Sequence, residues 1–80
     1  MAIDNAIKQM QAIINAACAS ADVKVVKISD EEARLTVLAP AGDIAKIKDA
    51  AFMPAMDFLN KDGFDLQVFV YDKDAPPLKG

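Results

Sequence analysis

The sequence predicts a two-layer α+β sandwich, with two helices on one face of a three-stranded sheet in the order helix, strand, strand, helix, strand. Three observations predict it. Apolar residues recur at a helical period near 3.6 in two segments. Three other segments alternate, or are rich in β-branched residues. Polar, Pro and Gly residues punctuate the joints between them. Eighty residues, 54% of them hydrophobic, supply one core, and a single domain is expected.

Residues 3–21 read as the first helix. Ile3, Ala6, Ile7, Met10, Ile13, Ile14, Ala17 and Ala21 fall on one face, and Asp4, Lys8, Gln11 and Asn15 on the other. Asp4 is placed to cap the helix or to favour its dipole from the first turn. Cys18 lies at the edge of the apolar stripe and reads as a small core residue, since no cation stands near it in sequence.

Residues 22–29 and 33–39 read as strands joined by the polar turn Ser29-Asp30-Glu31-Glu32, which predicts an antiparallel hairpin. Ala33, Leu35, Val37 and Ala39 share one face of the second strand; Arg34, Thr36 and Leu38 share the other. In the first strand Val25 and Val26 point to opposite faces unless a bulge intervenes.

Pro40-Ala41-Gly42 ends the second strand, and Asp43 is positioned to cap a helix beginning at Ile44. Its stripe of Ile44, Ile47, Ala51, Ala55, Phe58 and Leu59 is interrupted by Pro54, which removes one helical hydrogen bond. A straight helix would place Lys48 toward the apolar face and Met53 and Met56 outward. A kink or split at Pro54, turning Met53 or Met56 partly inward, is therefore expected. Asn60-Lys61-Asp62-Gly63 stops the helix. The last strand, 64–71, puts Phe64, Leu66, Val68 and Val70 on one face and Asp65, Gln67, Phe69 and Tyr71 on the other. The domain then spans 1–73, and 74–80 reads as a flexible tail.

The inventory excludes several chemistries. With no His and one Cys, the chain has no imidazole base, no Cys/His dyad, no intrachain disulfide and no four-ligand zinc site. Neither a GxGxxG nor a GxxxxGK[ST] loop is present to cradle phosphate. Asn60–Asp65 has the beginning of a calcium loop but lacks its closing Glu. Asp30-Glu31-Glu32 reads as a solvated turn. No catalytic residue, metal site or cofactor is expected.

Polar residues at helical spacing interrupt the N-terminal apolar stretch, which argues against a secretory signal. No apolar run approaches the roughly 20 residues that cross a bilayer. A soluble cytoplasmic protein is expected. Nine Lys and Arg against twelve Asp and Glu give a net charge of −3. The cations are scattered among acids, so nucleic-acid binding is not expected.

The element order, with a broken second helix and Val70-Tyr71-Asp72 ending the last strand, resembles type II KH-like domains, but Ala51-Phe52-Met53-Pro54 stands where those domains carry their GxxG signature. That resemblance implies an RNA-binding or ribosome-associated role. A carboxylate-based enzyme or small-ligand binder is a third reading. The leading expectation comes from the sheet. If both helices cover one face, then Arg34, Thr36, Leu38, Phe69 and Tyr71 lie on a face that this chain has no third layer to cover. The expected function is a small non-enzymatic assembly domain, homo-oligomeric through that face. A helix-mediated contact through Phe52, Met53 and Met56 is the rival geometry.

Overall fold

A computed structural model describes residues 2–73. The proposed tail, 74–80, lies outside them. The elements follow the predicted order: α1 (Ile3–Ala17), β1 (Asp22–Lys27), β2 (Glu32–Ala39), a single 3-10 turn at Ala41–Asp43, α2 (Ile44–Asp62) and β3 (Asp65–Asp72). The sheet order is β1-β2-β3. β1 pairs antiparallel with β2, and β2 pairs parallel with β3 through the α2 crossover.

The central strand decides the layering. Ala33, Leu35, Val37 and Ala39 of β2 are fully buried. They face α1 through Met10 and Ile14, and α2 through Ile47 and Ala51, which belong to the same core cluster. Five buried aliphatics or methionines of α1 match the predicted stripe: Ile3, Ala6, Ile7, Met10 and Ile14. Each fully buried side chain the size of Met10 or Ile14 contributes about 1.5–3 kcal/mol relative to exposure. Among the described residues no buried side-chain nitrogen or oxygen lacks a hydrogen bond. β1 carries no bulge: Val25 pairs with Leu35 and Val26 with Arg34, so the two valines face opposite sides of the sheet.

Three local expectations are corrected. First, α1 ends at Ala17, one turn before residue 21. Cys18 is extended at φ −150°, and its N–H donates to Ile14 O. The Asn15 side-chain amide donates to Ala21 O at 3.3 Å, holding the reversal into β1. Nothing in Ala16–Ala21 is a helix breaker, so the tertiary turn overrides local propensity. Second, Asp4 lies in the first turn of α1 and Asp43 at the N-cap of α2, as expected, but neither makes a capping hydrogen bond; Ala2 is the N-cap of α1. Asp4 instead lies 3.5 Å from Lys27 Nζ across the α1–β1 gap. That exposed pair is worth little, roughly 0–1 kcal/mol.

Third, of the kink or split expected at Pro54, the split does not occur: α2 is helical from Ile44 to Asp62. Ile47 and Ala51 before the proline and Phe58 after it are all buried. Anchoring on both sides holds the helix together across the one missing N–H. Met53 and Met56 do not turn inward; they are 62% and 41% exposed. Lys48 stays on the surface at the rim of a groove, beside Phe52. Gly63 at φ 71° ends α2 as expected, its N–H donating to Leu59 O, and the Phe64 N–H donates to Phe58 O.

Candidate functional site on the open sheet face

Strand register fixes which side chains share the uncovered face. Residues directly opposite across a ladder point to the same side. Leu38 stands between Asp22 and Tyr71, Thr36 between Lys24 and Phe69, and Arg34 between Val26 and Gln67. All five candidate residues, Arg34, Thr36, Leu38, Phe69 and Tyr71, therefore lie together, on the side away from the fully buried Leu35 and Val37.

The face is exposed and largely apolar. Val26 is 53% exposed, Leu38 40%, Phe69 42% and Tyr71 47%. Thr36 is half-buried between its neighbours. The Arg34 guanidinium carbon lies 5.7 Å from the centroid of the Phe69 ring, one step diagonally across the β2–β3 ladder. That contact satisfies a cation without a carboxylate and holds the ring in place, at about 0.5–1 kcal/mol. The polar border comes from Asp22 and Lys24 on one flank and from Gln67 on the other, whose amide donates to Glu32 Oε2 at 2.6 Å.

Sequence reasoning left open which residues β1 contributes. The β1–β2 register supplies Asp22, Lys24 and Val26. No periodicity signal in Val23-Lys24-Val25-Val26-Lys27 distinguishes the two faces, because valine and lysine occur at both parities.

Asp30 and Glu31 are exposed; the Glu31 N–H donates to Ser29 Oγ, and Glu32 accepts from Gln67. Among the described residues no group of three His, Cys, Asp or Glu side chains is arranged to hold a metal ion. Cys18 is buried as expected, and its thiol donates to Asp43 Oδ2 at 3.3 Å. That contact was not legible across 25 positions of sequence.

Away from the open face, a second apolar surface runs along α2. Phe52, Met53, Met56 and Leu59 are 41–62% exposed. Beside it a groove of about 260 Å³ lies between α2 and β3, lined by Ala51, Phe52, Ala55, Leu66 and Val68 with Lys48 at its rim. Its lining carries no carboxylate. No described helix is long and apolar enough to cross a membrane. Among known proteins, no family model, curated protein or solved structure matches the chain.

Proposed function

We propose that this chain is a non-catalytic assembly module whose open sheet face, centred on Arg34, Thr36, Leu38, Phe69 and Tyr71, packs against a second copy. One observation carries the reading. Leu38, Phe69 and Tyr71 occupy adjacent positions on two paired strands, all at least 40% exposed, with no third layer over them among the described residues. Apolar residues scattered singly over a surface need no partner; a contiguous patch of aromatic and branched side chains, rimmed by polar groups, is the composition of an interface core. Arg34 already stacks on Phe69, and arginine and aromatic side chains are enriched at such centres.

The absence of an imidazole base and of any Ser–His or Cys–His pair supports a non-enzymatic role. So does the mainly apolar lining of the groove between α2 and β3, where a ligand site would carry several converging polar groups. The KH-like alternative has one favourable feature: Lys24 and Arg34 share the face with Phe69 and Tyr71, as a base-stacking platform would require. Against it stand the unbroken α2 and the acids Asp22, Glu32 and Asp65 around the same sheet.

The test is the mass in solution by sedimentation, wild type against Leu38→Asp. Leu38 lies on the central strand and touches only the open face. The variant is expected to lower the mass while circular dichroism stays native. An unchanged mass removes this face as the interface.

A further inference from the structure

β1 and β3 are both sheet edges, but only one is guarded. β1 carries Lys24 and Lys27 within six residues, and charged side chains on an edge discourage further pairing. β3 runs eight residues, DLQVFVYD, with no Lys, Arg or Pro, and keeps continuous register with β2. Its two acids stand at its ends. Among the described residues no strand covers its outer side.

The polarity of that edge can be read from its two ends. The Asp65 N–H donates to Glu31 O at 2.7 Å and the Lys73 N–H to Ala39 O at 3.0 Å, both toward β2. Backbone groups alternate sides along a strand, so residues 67, 69 and 71 also face β2. Leu66, Val68 and Val70 then direct their N–H and C=O groups outward.

We infer that β3 pairs antiparallel with β3 of a second copy, across a dyad at Phe69, to make a continuous six-stranded sheet. The inference rests on the reading of the chain as a self-assembling module but uses a different surface. In this register Val68 and Val70 of the two copies form the hydrogen-bonded pairs, using the outward backbone groups. Phe69 meets its own copy as a close non-hydrogen-bonded pair on the open face, and Gln67 meets Tyr71. Asp65 of each copy stands opposite Lys73 of the other. Centring the dyad on Val68 or on Val70 loses both Asp65–Lys73 pairs. Charge complementarity thus selects the register, although exposed pairs contribute little affinity.

One further feature fits this arrangement. The open face of three strands measures only ~15 Å by ~25 Å, small against the ~800 Å² per partner of a standard interface. Joining two sheets edge to edge doubles the platform available for face-to-face packing.

The experiment is sedimentation of the full chain with four variants, each checked by circular dichroism. Val68→Pro removes an outward N–H without breaking a β2–β3 bond, and is expected to abolish the edge dimer. Asp65→Lys alone is expected to weaken dimerisation about tenfold, because two symmetry-related pairs become repulsive. Adding Lys73→Asp to it is expected to restore wild-type association. Leu38→Asp leaves edge pairing intact, so a Leu38→Asp dimer that Val68→Pro dissociates separates this interface from the open face. A monomeric wild type at ~100 μM, well above the Kd of a specific interface, overturns the inference. So does a Val68→Pro protein of unchanged mass. If Val68→Pro does not fold, an absent effect of Asp65→Lys, or a double variant no better than the single, overturns it instead.

Discussion

The thiol of Cys18 donates to the carboxylate of Asp43 at 3.3 Å, joining the end of α1 to the start of α2. Cys18 is 6% exposed, and its Sγ also lies 3.5 Å from Ser20 Oγ. Asp43 occupies the N-cap position of α2 yet gives no side-chain cap, so its carboxylate is directed to the thiol instead. Cys18→Ala is expected to lower stability by about 1 kcal/mol, from lost burial plus a weak hydrogen bond. Asp43→Ala is expected to cost about as much, from the lost thiol contact and the lost negative charge at a helix N-terminus. Because the two groups touch, the double variant should fall short of additivity by about 0.5 kcal/mol in urea unfolding. Strict additivity would show that the contact contributes nothing.

Gly63 and Gly42 make a matched pair of backbone tests. A Cβ at either position meets nothing within 4 Å, so sterics with neighbours play no part. Gly63 has φ 71°, the sole positive φ among the described residues; Gly42 sits in the 3-10 turn without one. Gly63→Ala is expected to destabilise by about 1 kcal/mol. Gly42→Ala should be neutral or stabilise by up to about 1 kcal/mol through the unfolded chain. Thermal melts of the two variants moving in the same direction would contradict the assignment.

These elements differ in how far the sequence announced them. Gly63 after Asn60-Lys61-Asp62 is a local signal, and the stop it predicts is where α2 ends. The β2 alternation is equally local: its buried and exposed residues follow the parity that Ala33–Ala39 spells out. The end of α1 is not local. It depends on Asn15 reaching Ala21 O and on Cys18 reaching Asp43, contacts that exist only after the chain has folded back. The five open-face residues were legible because strand parity is fixed once one face is buried. Their neighbours Asp22, Lys24 and Val26 required the hairpin register, which five consecutive Val and Lys residues do not encode.

Pro54 shows where a local signal was outweighed. It lies half-buried within a continuous helix and lines a groove with Gln9 and Ile13 of α1. Its ring leaves Ala50 O without the usual i+4 donor. Pro54→Ala restores that donor and relieves helix-interior strain. The expected gain is about 1–3 kcal/mol, less whatever packing the ring gives against α1. A higher melting temperature with an unchanged far-UV spectrum is the expected result. A lower one would mean that the ring's packing against α1 exceeds the cost of its missing hydrogen bond.

Nucleic-acid affinity provides the last test, because the open face presents the groups that a stacking platform would use. Phe69 and Tyr71 are exposed there, and Lys24 and Arg34 stand on the adjoining strands. Phosphate-tracking affinity depends on clustered cations, each contact releasing bound counterions. Here Arg34 is stacked on Phe69, and Asp22, Glu32 and Asp65 lie in register beside the same strands. The chain as a whole carries a net charge of −3. Single-stranded RNA and DNA of ~10 nucleotides, within the usual site size for stacking platforms, are therefore expected to show no binding tighter than ~100 μM at physiological salt. Fluorescence anisotropy over a salt series checks this. Binding in the micromolar range that weakens steeply with salt, and that Phe69→Ala and Arg34→Ala both abolish, would move the open face from protein assembly to base stacking.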